Sequence, residues 1–178
     1  MSDEERLEVL SEAHSSDIYY AVRTLYDSIL KHNYKTVLEL GVRSGVSTRV
    51  LLLAVKKVGG HVWSVDVARC ELAQRIVCEW GLASYWTFIQ MDDRDFAGFW
   101  NRKVDMLFID TSHQYEHTLF ELELYSKFVG ENGVIYLHDT ISHKEGVMQA
   151  ILDFIKKHPE WEFKEEGIIH GLGALRRR

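Results

Sequence analysis

Residues Val37–Thr48 read VLELGVRSGVST, and this short stretch decides the fold. An apolar run carries a carboxylate at Glu39, and the chain then passes Gly41 and Gly45 into a segment rich in hydroxyl side chains. Glycine lets the backbone approach a ligand closely, and the free N–H groups at the start of a helix favour a negatively charged group. The stretch therefore predicts a strand, an anion-accepting turn and a helix.

Short apolar runs alternate with longer segments of helical periodicity along the rest of the chain. The predicted strands are 36–40, 61–66, 85–90, 104–109 and 133–138, and the predicted helices are 46–57, 70–80, 115–129 and 146–158. The strands are apolar on both alternating faces, as expected of central parallel strands that helices cover on both sides. Residues 161–166 and 172–177 flank a short glycine-bearing turn and predict a closing antiparallel hairpin. The pattern predicts a doubly wound, Rossmann-like α/β sheet of seven mostly parallel strands with an antiparallel C-terminal strand.

The chain length favours one domain over residues 1–178, with an N-terminal helix at about 16–32 and a core over 36–178. Apolar side chains between Ile18 and Leu30 recur at helical spacing, and Ser15, Ser16 or Asp17 could cap this helix. Its apolar stripe could cover the sheet, gate a pocket or form a dimer contact, and we expect a homodimer.

Charge and cysteine usage exclude several classes of partner. The 27 acidic and 21 basic side chains give a net charge of −6, which offers no field for a phosphate backbone, and Arg176–Arg178 are typical of a solvated tail. Cys70 and Cys78 form neither a CxxC pair nor a disulfide framework. The N-terminus does not resemble a signal peptide, and no apolar run is long enough to span a bilayer. We therefore expect a cytoplasmic protein without nucleic-acid or membrane partners.

Glycine spacing separates the ligands that the opening turn could hold. A dinucleotide fingerprint would require glycine at Arg43 and glycine or alanine at Val46, and a phosphate loop would require a lysine that this segment lacks. The pattern that remains is E-x-G-x-x-x-G, formed by Glu39, Gly41 and Gly45. A nucleotide-dependent oxidoreductase is therefore disfavoured.

Carboxylates stand at the end of nearly every predicted strand. In an open parallel sheet, ligands bind in the crevice beyond the carboxyl ends of the strands. The acids at those ends are Glu39, Asp66, Asp92, Asp93, Asp110 and Asp139. A ligand site at this edge of the sheet is therefore expected.

The glycine turn followed by Asp66 resembles motifs I and II of class I S-adenosylmethionine-dependent methyltransferases. Residues 104–140, VDMLFIDTSHQYEHTLFELELYSKFVGENGVIYLHDT, are similar to the metal-dependent O-methyltransferases of the catechol and caffeoyl-CoA type. They are more similar to a bacterial and viral methyltransferase family with the pattern IDxxHxYE…GGxxxxHDT. The resemblance covers residues 36–175 and implies methylation of a hydroxyl oxygen on a small-molecule or sugar acceptor.

The resemblance also implies how S-adenosylmethionine would be held. Glu39, Gly41 and Gly45 would shape the methionine pocket, and Ser47 would bond the methionine carboxylate. Asp66 would accept from the ribose hydroxyls. The remaining members of the implied cofactor set are Asp92 or Asp93 at the adenine amino group, together with Asp110. One departure from the commonest motif is Arg43, which stands where a middle glycine would be.

On the acceptor side, the resemblance implies a magnesium or other divalent cation bound by Asp110, Asp139 and Thr140. The family commonly has asparagine where this chain has Thr140, so His138 or His113 could enter the shell instead and favour manganese, zinc or iron. His113 aligns with the basic lysine of the catechol-type enzymes. It is the candidate general base, with Asp110 beside it in the catalytic set.

Two other interpretations of these residues stay open. His113 could simply cap the following helix or hydrogen-bond Asp110. The whole chain could also be a module that binds S-adenosylmethionine or S-adenosylhomocysteine, has lost turnover and serves a regulatory role.

Overall fold

The computed structural model describes residues 1–12, 16–167 and 169–178. One seven-stranded sheet runs through the described residues in the order β3-β2-β1-β4-β5-β7-β6. Its strands are β1 Thr36–Leu40, β2 His61–Asp66, β3 Trp86–Gln90, β4 Val104–Ile109, β5 Val129–His138, β6 Trp161–Glu165 and β7 Leu172–Arg177. Strands β1 to β5 pair in parallel, and β7 is antiparallel to both β5 and β6. The predicted fold class is confirmed.

Helices cover both faces of this sheet. They are α1 Asp3–Ser11, α2 Val22–His32, α3 Val46–Val58, α4 Glu71–Glu79, α5 Asp93–Phe96, α6 Tyr115–Tyr125 and α7 Gln149–Lys157. Alternate residues of the central strands enter two separate cores, which explains why these strands are apolar throughout. In β4, for example, Met106 and Phe108 join the core with α2 and α3, whereas Leu107 and Ile109 join the core with α6 and α7.

The N-terminal region differs from the prediction in two ways. The predicted helix at about 16–32 is the α-helix Val22–His32 preceded by a 3-10 turn, Tyr19–Ala21, and no side chain caps either element. Ser16 and Asp17 are therefore not its caps, and Ser15 lies outside the described residues. An additional helix, α1, begins at a capping box in which Ser2 and Glu5 bond each other's backbone N–H groups.

The apolar stripe of α2 covers the sheet within the chain. Val22, Leu25 and Ile29 are fully buried in the same core as α3. Of the three roles that the sequence left open for this stripe, the structure supports the covering role.

Two predicted boundaries are wrong around α6 and β5. The helix predicted to reach residue 129 ends at Tyr125 and passes through a 3-10 turn, Ser126–Phe128. Strand β5 begins at Val129, four residues before the predicted start at 133, and its pairing with β4 shifts register between Val104 and Met106. The turn-type residues of this segment lie in a bulged strand, which a propensity argument does not detect.

Helix α7 also begins later than predicted. The turn before it, Lys144–Met148, is π-helical, and the α-helix spans Gln149–Lys157. Among the described residues, no helix combines the length and the apolar composition that a membrane crossing requires.

Candidate active site

The carboxyl ends of β1, β2, β3 and β4 surround a cavity of about 400 Å³, here called the strand-end cavity. This volume lies within the range of small-ligand sites. Its lining residues are Gly41, Val42, Arg43, Val65, Asp66, Val67, Ala68, Met91, Asp92, Asp93, Asp110, Thr111, Ser112 and His117. The residues predicted to hold a cofactor therefore separate into two groups. Gly41, Asp66, Asp92, Asp93 and Asp110 line the cavity, whereas Glu39, Gly45 and Ser47 are not among its lining residues.

Gly41 allows the strand ends to meet. Its φ is +90°, and a Cβ atom at this position would lie 2.0 Å from the carbonyl oxygen of Asp110. The Gly41 N–H donates to Val65 O, and the Asp110 N–H donates to Leu40 O, each at 2.9 Å. A side chain here would separate β1 from β4 at the cavity.

Arg43 occupies the position in the turn where the commonest motif has its middle glycine. Its backbone adopts the left-handed conformation, with φ of 52°, and its side chain is exposed. Arginine pays a steric cost for this conformation that glycine would not. The turn thus keeps the backbone shape of a glycine-rich loop.

Backbone donors fix the orientation of Asp66. Its Oδ2 accepts from the N–H groups of Val42 (2.8 Å) and Arg43 (3.1 Å), and its Oδ1 accepts from Ala68 N–H at 2.8 Å. Partial burial opposes the charge, but the backbone hydrogen bonds outweigh it and lower the pKa of Asp66. Because two carboxylate oxygens have about four acceptor positions, the ionised side chain retains capacity for a further donor from the cavity.

Glu39 supports the turn from behind the cavity. It is fully buried, and its carboxyl group accepts from Ser47 Oγ (2.7 Å), Thr48 Oγ1 (2.8 Å) and Ser64 Oγ (2.6 Å). Burial raises the pKa of Glu39 to about 7, although these hydroxyl groups act in the opposite direction. The Ser47 hydroxyl is therefore bonded to Glu39, and its predicted contact with a methionine carboxylate stays a prediction.

Four side chains converge beyond the ends of β4 and β5, here called the Asp110 cluster: Asp110, His113, His138 and Asp139. His113 Nε2 lies 3.2 Å from Asp110 Oδ1 and 3.0 Å from Asp139 Oδ2. His138 Nδ1 lies 3.4 Å and 3.1 Å from the same two oxygens. Two imidazole nitrogens therefore face two carboxylate oxygens across one small space.

Thr140 is placed differently from the other predicted metal ligands. Its hydroxyl group donates to Glu165 Oε2, and its side chain is fully buried against Gly171. The ligand types that this structure brings together are two imidazoles and two carboxylates, which matches the alternative in which histidine enters the shell.

The backbone of the Asp110 cluster is strained. His113 and Asp139 have φ angles of 57° and 63°, which are uncommon for residues other than glycine. Gly146, in the π-helical turn before α7, makes the loop of His113 possible, because a Cβ atom there would lie 2.0 Å from His113 O. The fold thus holds both residues in conformations that they would not adopt alone.

Mutual pairing shifts the pKa values in this cluster. Burial opposes the charge on both carboxylates, but the two imidazoles outweigh it, lowering the pKa of Asp110 to about 2 and lowering that of Asp139 as well. Hydrogen bonds to Asp110 and Asp139 raise the pKa of His113 to about 9. Burial opposes the charge on His138, but the same two carboxylates raise its pKa to about 10.

These values bear on the predicted roles of His113. The hydrogen bond to Asp110 that the sequence left as an alternative is present at 3.2 Å, whereas no side chain caps α6. With its pKa at about 9, His113 holds its proton at neutral pH while the cluster contains no cation. Its role as general base stays a prediction, and it requires conditions that release this proton.

The Asp110 cluster fits a divalent cation. Both ring nitrogens of His138 are buried and have no hydrogen-bond partner of good geometry among the described residues. Buried polar atoms of this kind call for a specific explanation, and a mixed imidazole and carboxylate set suits manganese, iron or zinc. A cation would replace the two protons that now compensate the carboxylates.

Sequence reasoning missed two polar residues of α6, His117 and Glu121, which approach Asp93 at the strand-end cavity. The signal that could have found them is their spacing. Residues i and i+4 lie on one face of a helix, and metal-binding pairs on helices use this spacing.

A family described as "Methyltransferase domain" matches residues 38–140, more than half of the 178 residues. The chain belongs to this methyltransferase family. The match contains the glycine turn, Asp66 and the Asp110 cluster, and none of the curated proteins matches the chain.

Solved structures share the fold of this methyltransferase. The SAH-bound methyltransferase PaMTH1 of Podospora anserina is similar with a TM-score of 0.80 and 11% identity, covering 99% of this chain and 87% of the other. The O-methyltransferase of Bacillus cereus in complex with SAH has a TM-score of 0.75 and 16% identity, with coverages of 99% and 90%. The O-methyltransferase TomG of Streptomyces achromogenes, in complex with SAM, has a TM-score of 0.76 and 15% identity, with coverages of 97% and 89%. The resemblance to class I S-adenosylmethionine-dependent methyltransferases is confirmed.

Proposed function

We propose that this methyltransferase transfers the methyl group of S-adenosylmethionine to a hydroxyl oxygen of a small-molecule or sugar acceptor, assisted by a divalent cation at the Asp110 cluster. One observation carries the proposal. Asp110 lines the strand-end cavity and also belongs to the Asp110 cluster, so the two sites share a carboxylate. A methyl donor in the cavity and an acceptor oxygen at the cluster would therefore be close neighbours, as methyl transfer requires.

On the donor side, the cavity offers groups that match S-adenosylmethionine, which supplies an activated methyl group when it is bound. Asp66 is ionised and oriented by the backbone, so it can accept from a ribose diol. Asp92 and Asp93 line the same cavity beyond the end of β3, where one of the two can accept from an adenine amino group. Two neighbours with this fold are described in complex with SAM or SAH, which supports the assignment.

On the acceptor side, Asp110, Asp139, His113 and His138 would hold the cation, which lowers the pKa of a hydroxyl group bound to it. Aromatic rings surround these ligands. The His143 ring stacks on His113 with centroids 4.5 Å apart, and the Tyr20 ring stacks on His138 at 5.9 Å. These stacking contacts favour the orientation of the imidazoles toward the carboxylates.

Calorimetric titration with S-adenosylhomocysteine tests the donor side. We expect a single site whose affinity falls in Asp66→Asn. The acceptor side is tested by methyl transfer to a panel of catechols and sugars, with and without Mn²⁺, in the parent and in Asp139→Asn. Absence of binding heat in the folded parent would remove the proposal.

The alternative of a binding module without turnover has one observation in its favour. The Asp110 cluster compensates its own charges, because two protonated imidazoles pair with two carboxylates. Binding of S-adenosylhomocysteine that survives, while no acceptor in the panel is methylated with any of Mg²⁺, Mn²⁺ and Zn²⁺, would favour this alternative. The cytoplasmic location, the homodimer and the absence of nucleic-acid partners stay predictions.

A further inference from the structure

A second group of metal-binding side chains lies at the wall of the strand-end cavity, here called the His117 group: Asp93, His117 and Glu121. His117 and Glu121 stand one turn apart on α6, and Asp93 begins α5. His117 Nε2 lies 2.8 Å from Asp93 Oδ2 and 3.6 Å from Glu121 Oε1. The three ligand atoms all lie within 4.8 Å of one another.

The two acidic side chains of this group are buried. Glu121 is 0% exposed and Asp93 is 7% exposed. Among the described residues, His117 is the one cationic side chain within ion-pair distance of either acid. Burial raises the pKa of Glu121 to about 8, and the hydrogen bond with Glu121 raises the pKa of His117 to about 9, so bound protons balance the buried charge of this group at neutral pH.

One buried acceptor atom of this group has no hydrogen-bond partner among the described residues. The Thr111 hydroxyl lies 2.9 Å and 3.1 Å from the two oxygens of Glu121, and His117 occupies Asp93 Oδ2. Asp93 Oδ1 is buried and has no hydrogen-bond partner among the described residues. Since buried acceptors in folded proteins nearly always have partners, this oxygen indicates a missing ligand.

We propose that the His117 group binds a divalent transition-metal ion of the zinc type, separate from the cation of the Asp110 cluster. One imidazole and two carboxylates are a ligand set that zinc accepts, and zinc sites with three protein ligands keep a fourth position open. Asp93 and His117 line the strand-end cavity, so the open position faces that cavity. On binding, the ion displaces the protons that otherwise balance the two acids and leaves the imidazole neutral.

Metal binding at the His117 group does not depend on methyl transfer, because all three proposed ligands are side chains of the protein itself. Zinc titration against a chromophoric chelator tests it in four proteins: the parent, His117→Gln, Asp139→Asn and the double variant. Asp139→Asn is the matched control, since it removes a carboxylate of the Asp110 cluster and leaves the His117 group intact.

We expect the parent to bind two zinc ions per chain, each single variant to bind one and the double variant to bind none. If the Asp110 cluster binds no zinc, the parent and Asp139→Asn should bind one ion each and His117→Gln should bind none. This result would support zinc binding at the His117 group and contradict zinc binding at the Asp110 cluster. Equal stoichiometry in the parent and His117→Gln would overturn the proposal.

A measurement on the parent protein removes any dependence on the folding of a variant. The ¹⁵N resonances of the His117 imidazole should shift from the protonated form to a metal-bound form as Zn²⁺ is added, and Glu121→Gln should weaken this response at least tenfold. A His117 ring that stays protonated at saturating Zn²⁺ would show that protons alone fill the site and would overturn the proposal.

Discussion

Asp110 is the residue at which the two halves of the proposed reaction meet. It lines the strand-end cavity, contacts two imidazoles and brings its carbonyl oxygen against Gly41. Its position at the end of β4 explains all three contacts, since the carboxyl ends of parallel strands form a common edge.

Asp66→Asn tests the recognition of the donor. The substitution replaces an ionised acceptor by a neutral amide, and hydrogen bonds to charged groups contribute about 1.5–3 kcal/mol each. We expect the affinity for S-adenosylhomocysteine to fall by about 10-fold to 150-fold in calorimetric titration. Glu71→Gln, an exposed change on α4, is the control and should bind as the parent does. Unchanged affinity in Asp66→Asn would place the ligand elsewhere.

Glu39→Gln tests the buried carboxyl group behind the turn. Burial raises the folded-state pKa of Glu39 from 4.5 to about 7, so its protonated form stabilises the fold below pH 4.5. That contribution is lost as the pH rises from 4.5 to about 7. Relative to Glu39→Gln, the parent should lose up to about 3 kcal/mol of unfolding free energy across this window.

Urea unfolding of both proteins at a series of pH values measures this difference. The comparison isolates Glu39, because every other titrating group is common to the two chains. A difference between the two proteins that does not change with pH would show that Glu39 ionises normally in the fold.

At the scale of the elements, close approach of β1 to β4 defines the cavity, and Gly41→Ala tests this packing. The new Cβ would meet Asp110 O at 2.0 Å and the backbone would stay left-handed, so we expect a loss of about 2–4 kcal/mol. Gly59→Ala is a matched control, because its φ is +69° and no atom lies within 4 Å of the added Cβ. It should lose only about 1 kcal/mol in urea unfolding. Equal losses would show that the strand ends can separate at no cost.

Helix α6 serves two sites at once. His113, two residues before the helix begins, enters the Asp110 cluster, while His117 and Glu121 on its first two turns approach Asp93. His117 and Glu121 are four residues apart and so lie on the same side of the helix, whereas His113 precedes the helix in a left-handed conformation. The start of α6 therefore brings one imidazole to each of the two groups of candidate metal ligands.

At the scale of the whole molecule, occupation of the Asp110 cluster by a metal should depend on pH. His113 and His138 have pKa values of about 9 and about 10, so both are protonated at neutral pH and must lose a proton when a cation binds. Their raised values stabilise the cation-free fold below pH 6.5, and this contribution is lost as the pH rises toward 9 and 10.

The affinity of the cluster for Mn²⁺ should therefore increase with pH, by about tenfold to hundredfold per unit up to about pH 9, and level off above about pH 10. Titration in the His117→Gln background restricts the measurement to this cluster, and adding Asp139→Asn to that background provides the control. An affinity that is independent of pH would contradict histidine ligation.

The sequence by itself determined the fold class and predicted which candidate residues lie at the strand ends. The alternation of apolar runs with helical periodicity requires strands buried on both faces, and acids at the ends of parallel strands must meet at one edge. Gly41, Asp66, Asp92, Asp93, Asp110 and Asp139 were found in this way, because local pattern and sheet geometry together fix where such residues lie.

Only the tertiary structure decided which polar groups are paired and which remain unsatisfied. It bonded Ser47 to Glu39, turned Thr140 toward Glu165, and brought His138 and His113 onto the same two carboxylates. It also raised the pKa of His113, on which a role as general base depends. The physical reason is that hydrogen bonding, desolvation and charge pairing arise between residues distant in sequence, and their outcome exists only when the strand ends and α6 are packed together.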